Sequence, residues 1–158
     1  MNHKRAIKQH TMLLEGSPET IFPLLCPTRE SEWIETWRCT MVYSDSGLAE
    51  QDCVFRTDFP QDGPRDTWVL SRYERPKLVE FVRVNGIRAI RYTIVLLERP
   101  EGKTEAEWKQ VITGLNDVGD RFVEGLSDEE FGRRMERLQQ MLNHHLTTGG
   151  ILKIGDGG

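Results

Sequence analysis

Apolar positions recur sparsely at the start of the chain, where Ile7, Met12, Leu13 and Leu14 punctuate a polar, extended stretch from about Lys4 to Glu15 that stops at Gly16. This predicts a first strand. In Ser17-Pro18-Glu19-Thr20, Ser17 is suited to cap a helix. Pro18 suits the first helical position, where its missing N–H costs nothing, and Glu19 complements the helix dipole. A short helix through Ile21, Phe22, Leu24 and Leu25 is expected, ended by Pro27. From Thr28 to Trp37, the residues Trp33, Ile34 and Trp37 fall at three- and four-residue spacing, which predicts a second short helix.

Between Cys39 and Asn116 the period changes to two, and turn residues such as Asp45-Ser46-Gly47, Gln61-Asp62-Gly63-Pro64, Asn85-Gly86 and Pro100-Glu101-Gly102 break the chain into strand-length pieces. Connections this short indicate an antiparallel meander. Alternation groups Cys39, Met41 and Tyr43 on one face, as it does Cys53, Phe55, Thr57 and Phe59, then Ile90, Tyr92, Ile94 and Leu96, then Ala106, Trp108, Gln110 and Ile112. Residues 66 to 74 and 77 to 84 carry bulk on both faces, and their inward side is not assigned.

The last third is helical in two registers. Leu115, Val118, Phe122 and Leu126 cluster on one side, and Phe131, Met135, Leu138 and Leu142 about half a turn away, so a break is expected near Gly125. Ser127-Asp128-Glu129-Glu130 supplies a capping box for a long amphipathic helix from about Asp128 to Thr147. Its apolar stripe should face the sheet, with Arg133, Arg137 and His144 in water.

Length and charge narrow the class. The 158 residues carry 21 basic and 25 acidic side chains, without a basic block, so nucleic-acid binding is disfavoured. One domain, residues 1–148, is expected to bury a full core without staples, followed by a Gly-rich tail at 149–158. Cys26, Cys39 and Cys53 are odd in number and widely spaced, which suggests neither a disulfide framework nor a zinc site. Residues 1 to 15 have no apolar core of a leader and the longest apolar run is Ile94–Leu97, so a cytoplasmic protein with no membrane span is expected. Gly155-Asp156-Gly157-Gly158 lacks the Lys and helix of a phosphate loop, and no cofactor or metal motif is present in the sequence.

Strand, two short helices, antiparallel strands and a long terminal helix is the order of the α+β helix-grip fold, in which a sheet of six or seven strands wraps the last helix. Ser17–Leu25, Glu32-Trp33-Ile34 with Trp37, Tyr43–Gly47, Trp68–Glu74 and Met141–Leu146 resemble a bacterial subgroup of the SRPBCC superfamily, also called START-like, over roughly residues 5 to 148. That superfamily spans lipid carriers, hormone receptors, polyketide cyclases and chaperone activators, and the subgroup carries no catalytic residue over to this chain. The resemblance implies a small-ligand cavity between sheet and long helix.

Phe55, Tyr92, Trp108, Met135 and Leu138 would line that cavity, and would equally fill it as core. Gln110, Thr57 and Cys53 are small or neutral polar groups on inward faces, suited to fix a ligand or to be satisfied by backbone or buried water. Trp33 and Trp37 either anchor a short helix or form an aromatic gate at the cavity mouth. His145 flanks the apolar stripe as a proton shuttle, a ligand donor or a satisfied half-buried residue, with no acid within one turn to orient it. The paired acids Asp128-Glu129-Glu130 and Glu105-Glu107 mark a helix start and an outer strand face. Three functions compete: a carrier of a small hydrophobic or aromatic molecule, a cyclase- or hydrolase-like enzyme using Gln110, Tyr92 and His145, and a chaperone-activator-like interaction protein.

Overall fold

The computed structural model describes residues 2–153. Seven strands, β1 (Arg5–Leu14), β2 (Thr40–Tyr43), β3 (Val54–Thr57), β4 (Asp66–Glu74), β5 (Leu78–Val84), β6 (Arg88–Arg99) and β7 (Lys103–Gly114), form one antiparallel sheet in the order β1-β7-β6-β5-β4-β3-β2. The helices are α1 (Pro18–Ile21), α2 (Asp117–Glu124) and α3 (Asp128–Thr148). This is the helix-grip α+β arrangement that the pattern predicts, with β1 brought back beside β7 to close one side. Of the Gly-rich tail, 154–158 lie outside the described residues. No helix among the described residues is long and apolar enough to cross a membrane.

The capping signals operate as read. Ser17 Oγ accepts from the Thr20 amide at 3.3 Å, Ser127 Oγ from the Glu130 amide at 3.0 Å, and Gly149, at φ 78°, ends α3 with its amide on the His145 carbonyl at 2.7 Å. Gly125 marks the break between α2 and α3.

Two local expectations change. The span from Thr28 to Trp37 contains only a 3-10 turn at Glu30–Glu32. Trp33 leaves the helical region at φ −134°. Its indole N–H donates back to the Leu24 carbonyl at 2.7 Å, and the Trp37 indole donates to the Pro27 carbonyl at 2.9 Å. The two tryptophans thus tie the segment to the preceding turn instead of lining one helix face. Leu115, before α2, and Val118 within it are exposed, and the buried side of α2 is Gly119 and Val123. At Gly119 a Cβ would come within 1.8 Å of the Ile87 carbonyl oxygen. Close backbone approach therefore rotates the helix away from its most apolar stripe.

α3 lies along β1 and is clipped there at both ends. Lys8 Nζ donates to the Leu126 carbonyl (2.9 Å) and the Asp128 carboxylate (2.6 Å), while Asn143 accepts from the Glu15 amide (2.8 Å) and donates to the Leu13 carbonyl (3.1 Å). Met135, Met141 and Leu142 are buried, and Leu138 and Phe131 are half-buried against the core. Arg133 is in water as expected, whereas Arg137 and His144 are half-buried.

Candidate functional site

The strand register arranges the inner face in rows. One runs Ala6–Ile112–Ile90–Arg83–Trp68–Phe55 and the next Lys8–Gln110–Tyr92–Phe81–Leu70. Strands 66–74 and 77–84 thereby acquire a definite inward side: Asp66, Trp68 and Leu70 on β4, Val79, Phe81 and Arg83 on β5. The first row holds an aromatic block. Phe55 stacks on Trp68 with ring centroids 5.2 Å apart, Phe81 meets both rings edge-on, and Trp37 closes the block at 6.1 Å from Trp68.

At one end of this block sits a buried ionic cluster. Asp66 accepts from Arg88 at 2.6 and 2.9 Å and also from Arg83, whose guanidinium lies 4.1 Å from the Trp68 ring centre and reaches Asp62 at 2.9 Å. Burial would raise the Asp66 carboxyl, but the hydrogen bond of Arg88 and the charge and hydrogen bond of Arg83 outweigh it and hold it below its usual range. Two cations face two carboxylates, so the cluster is internally neutral.

Farther along the same strands the polar groups are differently placed. Tyr92 and Gln110 oppose each other across β6 and β7, and the Tyr92 ring lies 5.8 Å from that of Trp108. Glu30, on the 3-10 turn over this face, lies within electrostatic reach of Tyr92, Arg83, Cys26 and Cys39. Burial raises its carboxyl well above the ordinary range, opposed only in part by the charge of Arg83. Glu32, Glu50, Asp66 and Asp120, by contrast, are all shifted downward. The Tyr92 phenol is likewise pushed up by burial, with Glu30 adding to the effect. In both groups burial favours the neutral, proton-bearing form.

The expected site residues separate into used and unused. Trp33 is fully buried with its N–H satisfied, and Thr57 Oγ1 accepts from the Trp68 indole at 2.8 Å, so neither has a free polar group. Cys53 and Phe55 are buried at 1% exposure, and burial raises the Cys53 thiol. Cys26, beside them, is pushed up to about 12, chiefly by burial. Trp37 is half-buried at the rim. Met135 and Tyr92 are buried on facing elements, Leu138 is half-buried, and Trp108 is buried with its indole N–H unpartnered among the described residues. Gln110 keeps accessible area in mid-sheet.

His145 is half-buried, with Nδ1 3.2 Å from the Gly150 carbonyl oxygen, a contact that holds the ring to the helix end. Among the described residues no carboxylate lies within hydrogen-bond distance of it. The residues that the sequence reading passed over are Glu30, Lys8, Asp66, Arg83 and Arg88. For Lys8 and Arg88 the signal was the phase of the alternation, which sets each among buried apolar neighbours, whereas Asp66 and Arg83 lie on strands whose two faces are both bulky.

A depression of about 390 Å³ on the outer face is lined by residues such as Gln9, Arg72, Glu80, Arg91 and Lys109, and Glu80 there is already engaged by Ser71 and Thr93. On the surface, His3, Asp117 and Asp120 bring ligand-type atoms within 4.8 Å of one another, but Asp120 already accepts from the Lys4 amide and meets His3 Nδ1 at 2.9 Å.

No protein-family profile matches the sequence, and no curated protein matches it at the sequence level. Solved structures do resemble it. A hypothetical protein, jhp0584 from Helicobacter pylori, superposes with a TM-score of 0.68 at 7% identity, covering 89% of this chain and 87% of its own. A START superfamily protein from Mycobacterium smegmatis gives 0.64 at 13% identity over 89% and 97% of the two chains, and Ara h 8.0201 gives 0.62 at 10% identity over 92% and 99%. At these identities the likeness establishes architecture, and the chain has the START-like helix-grip fold of the SRPBCC type.

Proposed function

We propose that the protein binds a small hydrophobic or aromatic molecule between the inner face of the sheet and α3, as a non-catalytic carrier or sensor module. The observation that carries this reading is Gln110. It lies in mid-strand on the inner face, flanked by buried Trp108 and Ile112, yet it is only half-buried, which is in keeping with access to that face. The half-buried Leu138 on α3 and the unpartnered Trp108 indole support the same reading. A START superfamily protein among the structural neighbours is in keeping with it.

The enzyme reading loses support, because His145 is held by a carbonyl and no carboxylate lies within hydrogen-bond distance of it among the described residues. Three free thiols and the absence of a long apolar helix among the described residues fit a cytoplasmic role. The test is a titration with the neutral dye N-phenylnaphthylamine, read by its fluorescence gain. Saturable one-to-one binding that Leu138→Trp abolishes in a folded protein supports the reading. Absence of saturable binding, or binding indifferent to Leu138→Trp, overturns it.

A further inference from the structure

The polar groups of the inner face say which class of molecule the site accepts. Its cations are all engaged. Lys8 is held by Asp128 and the Leu126 carbonyl, Arg88 by Asp66 and the Asp62 carbonyl, and Arg83 by Asp66 and Asp62. Arg83 Nε and Arg88 Nε keep unpartnered N–H groups among the described residues, but the charges of Arg83 and Arg88 are balanced by Asp62 and Asp66 and that of Lys8 by Asp128, so an incoming carboxylate or phosphate would bring an uncompensated negative charge into the interior.

The groups left over are uncharged and hydrogen-bonding. The Gln110 amide offers both donor and acceptor, and the Trp108 indole N–H is buried without a partner among the described residues. The Tyr92 hydroxyl opposes Gln110 across the register, close enough for the two to share a hydrogen bond, and burial keeps the phenol uncharged. Rings surround them: Trp108, Tyr92, and the Phe55–Trp68–Phe81 block.

We propose that the site takes an uncharged aromatic molecule bearing a hydroxyl or carbonyl oxygen, with that oxygen at Gln110, Tyr92 and the Trp108 indole N–H, and that it rejects anionic amphiphiles such as fatty acids. This rests on the binding reading above and specifies its polar end.

Three probes sharing one ring system separate the possibilities: β-naphthol, β-naphthoate and β-ethylnaphthalene, titrated at neutral pH by quenching of tryptophan fluorescence. Naphthol should bind about tenfold more tightly than ethylnaphthalene, the effect of one well-made hydrogen bond. Naphthoate should bind at least about tenfold more weakly than naphthol, because its charge is desolvated without a partner. Gln110→Leu should bring naphthol down to the affinity of ethylnaphthalene and leave ethylnaphthalene unchanged. Naphthoate binding as tightly as naphthol would overturn the charge selectivity. Equal affinities of naphthol and ethylnaphthalene for the unmodified protein would overturn the polar end while leaving the binding reading intact. If none of the three binds, the binding reading itself falls, and this inference with it.

Discussion

Where β5 turns into β6, every strong polar group on the inner face has a counterpart: Asp66 lies between Arg83 and Arg88, and Asp62 completes the charge balance. A few residues farther along the same strands, Tyr92, Gln110 and Trp108 have no counterpart ion, and the Trp108 indole N–H has no partner among the described residues. The first region is a charge-balanced network whose members specify one another's positions. The second is uncharged. Burial of polar groups is therefore not one phenomenon in this fold. Where opposite charges balance it fixes the sheet, even with Arg83 Nε and Arg88 Nε left unpartnered among the described residues, and where the groups are uncharged it supplies the polar end that the proposed ligand would meet.

The largest effect that could break this comparison is Asp66→Ala. It leaves two buried guanidiniums without their shared carboxylate and should cost about 3–5 kcal/mol in denaturant melts, as expected when one member of a buried pair is removed. Asp128→Ala, which removes the exposed partner of Lys8, should cost about 1 kcal/mol or less. Equal losses would mean that the cluster is an ordinary surface feature.

The pH dependences of Asp66 and Glu30 have opposite sign. The Asp66 pKa is depressed in the folded state, so its contribution is complete above the unfolded value of about 4 and is lost as pH falls through the folded value. Glu30 is raised, so its contribution is complete below an unfolded value of about 4.3 and is lost as pH rises toward and through the folded value. Glu30→Gln should therefore stabilise the protein more at pH 8 than at pH 4, whereas Asp66→Asn should flatten the acid limb. Thermal melts across that range check both, and a Glu30→Gln variant equally displaced at both ends would show that its carboxyl is not desolvated. The smallest expected effect is Gln110→Leu, which should leave stability within about 1 kcal/mol because a half-buried amide is exchanged for an apolar group of similar size. A larger loss would assign Gln110 to the charge-balanced network.

Local signals made much of this architecture readable. Ser127 before three acids and Gly149 after the last turn bound α3 because capping is decided within a few residues, and the alternation of β6 and β7 is plain because each has one fully buried face. The ionic cluster was hidden because Asp66 meets Arg83 and Arg88 across strands, 17 and 22 residues away, and an inward charge reads as polar until its partner is known. Glu30 gave no periodic signal, since it stands on a 3-10 turn whose orientation depends on where Trp33 and Trp37 find carbonyls. In α2 the apolar stripe misled because a backbone contact at Gly119 outweighs side-chain pattern.

The four tryptophan indoles allow the central claim to be read directly. Trp33, Trp37 and Trp68 donate to Leu24, Pro27 and Thr57, whereas the Trp108 N–H, on the inner face beside Tyr92 and Gln110, has no partner among the described residues. In a proton–nitrogen correlation spectrum titrated with β-naphthol, the Trp108 indole resonance should move most, together with the Gln110 side-chain amide, while the Trp33 and Trp68 indoles stay in place. If Trp108 and Gln110 stay fixed while amides of the outer face around Gln9 and Arg91 shift, binding between sheet and helix is contradicted.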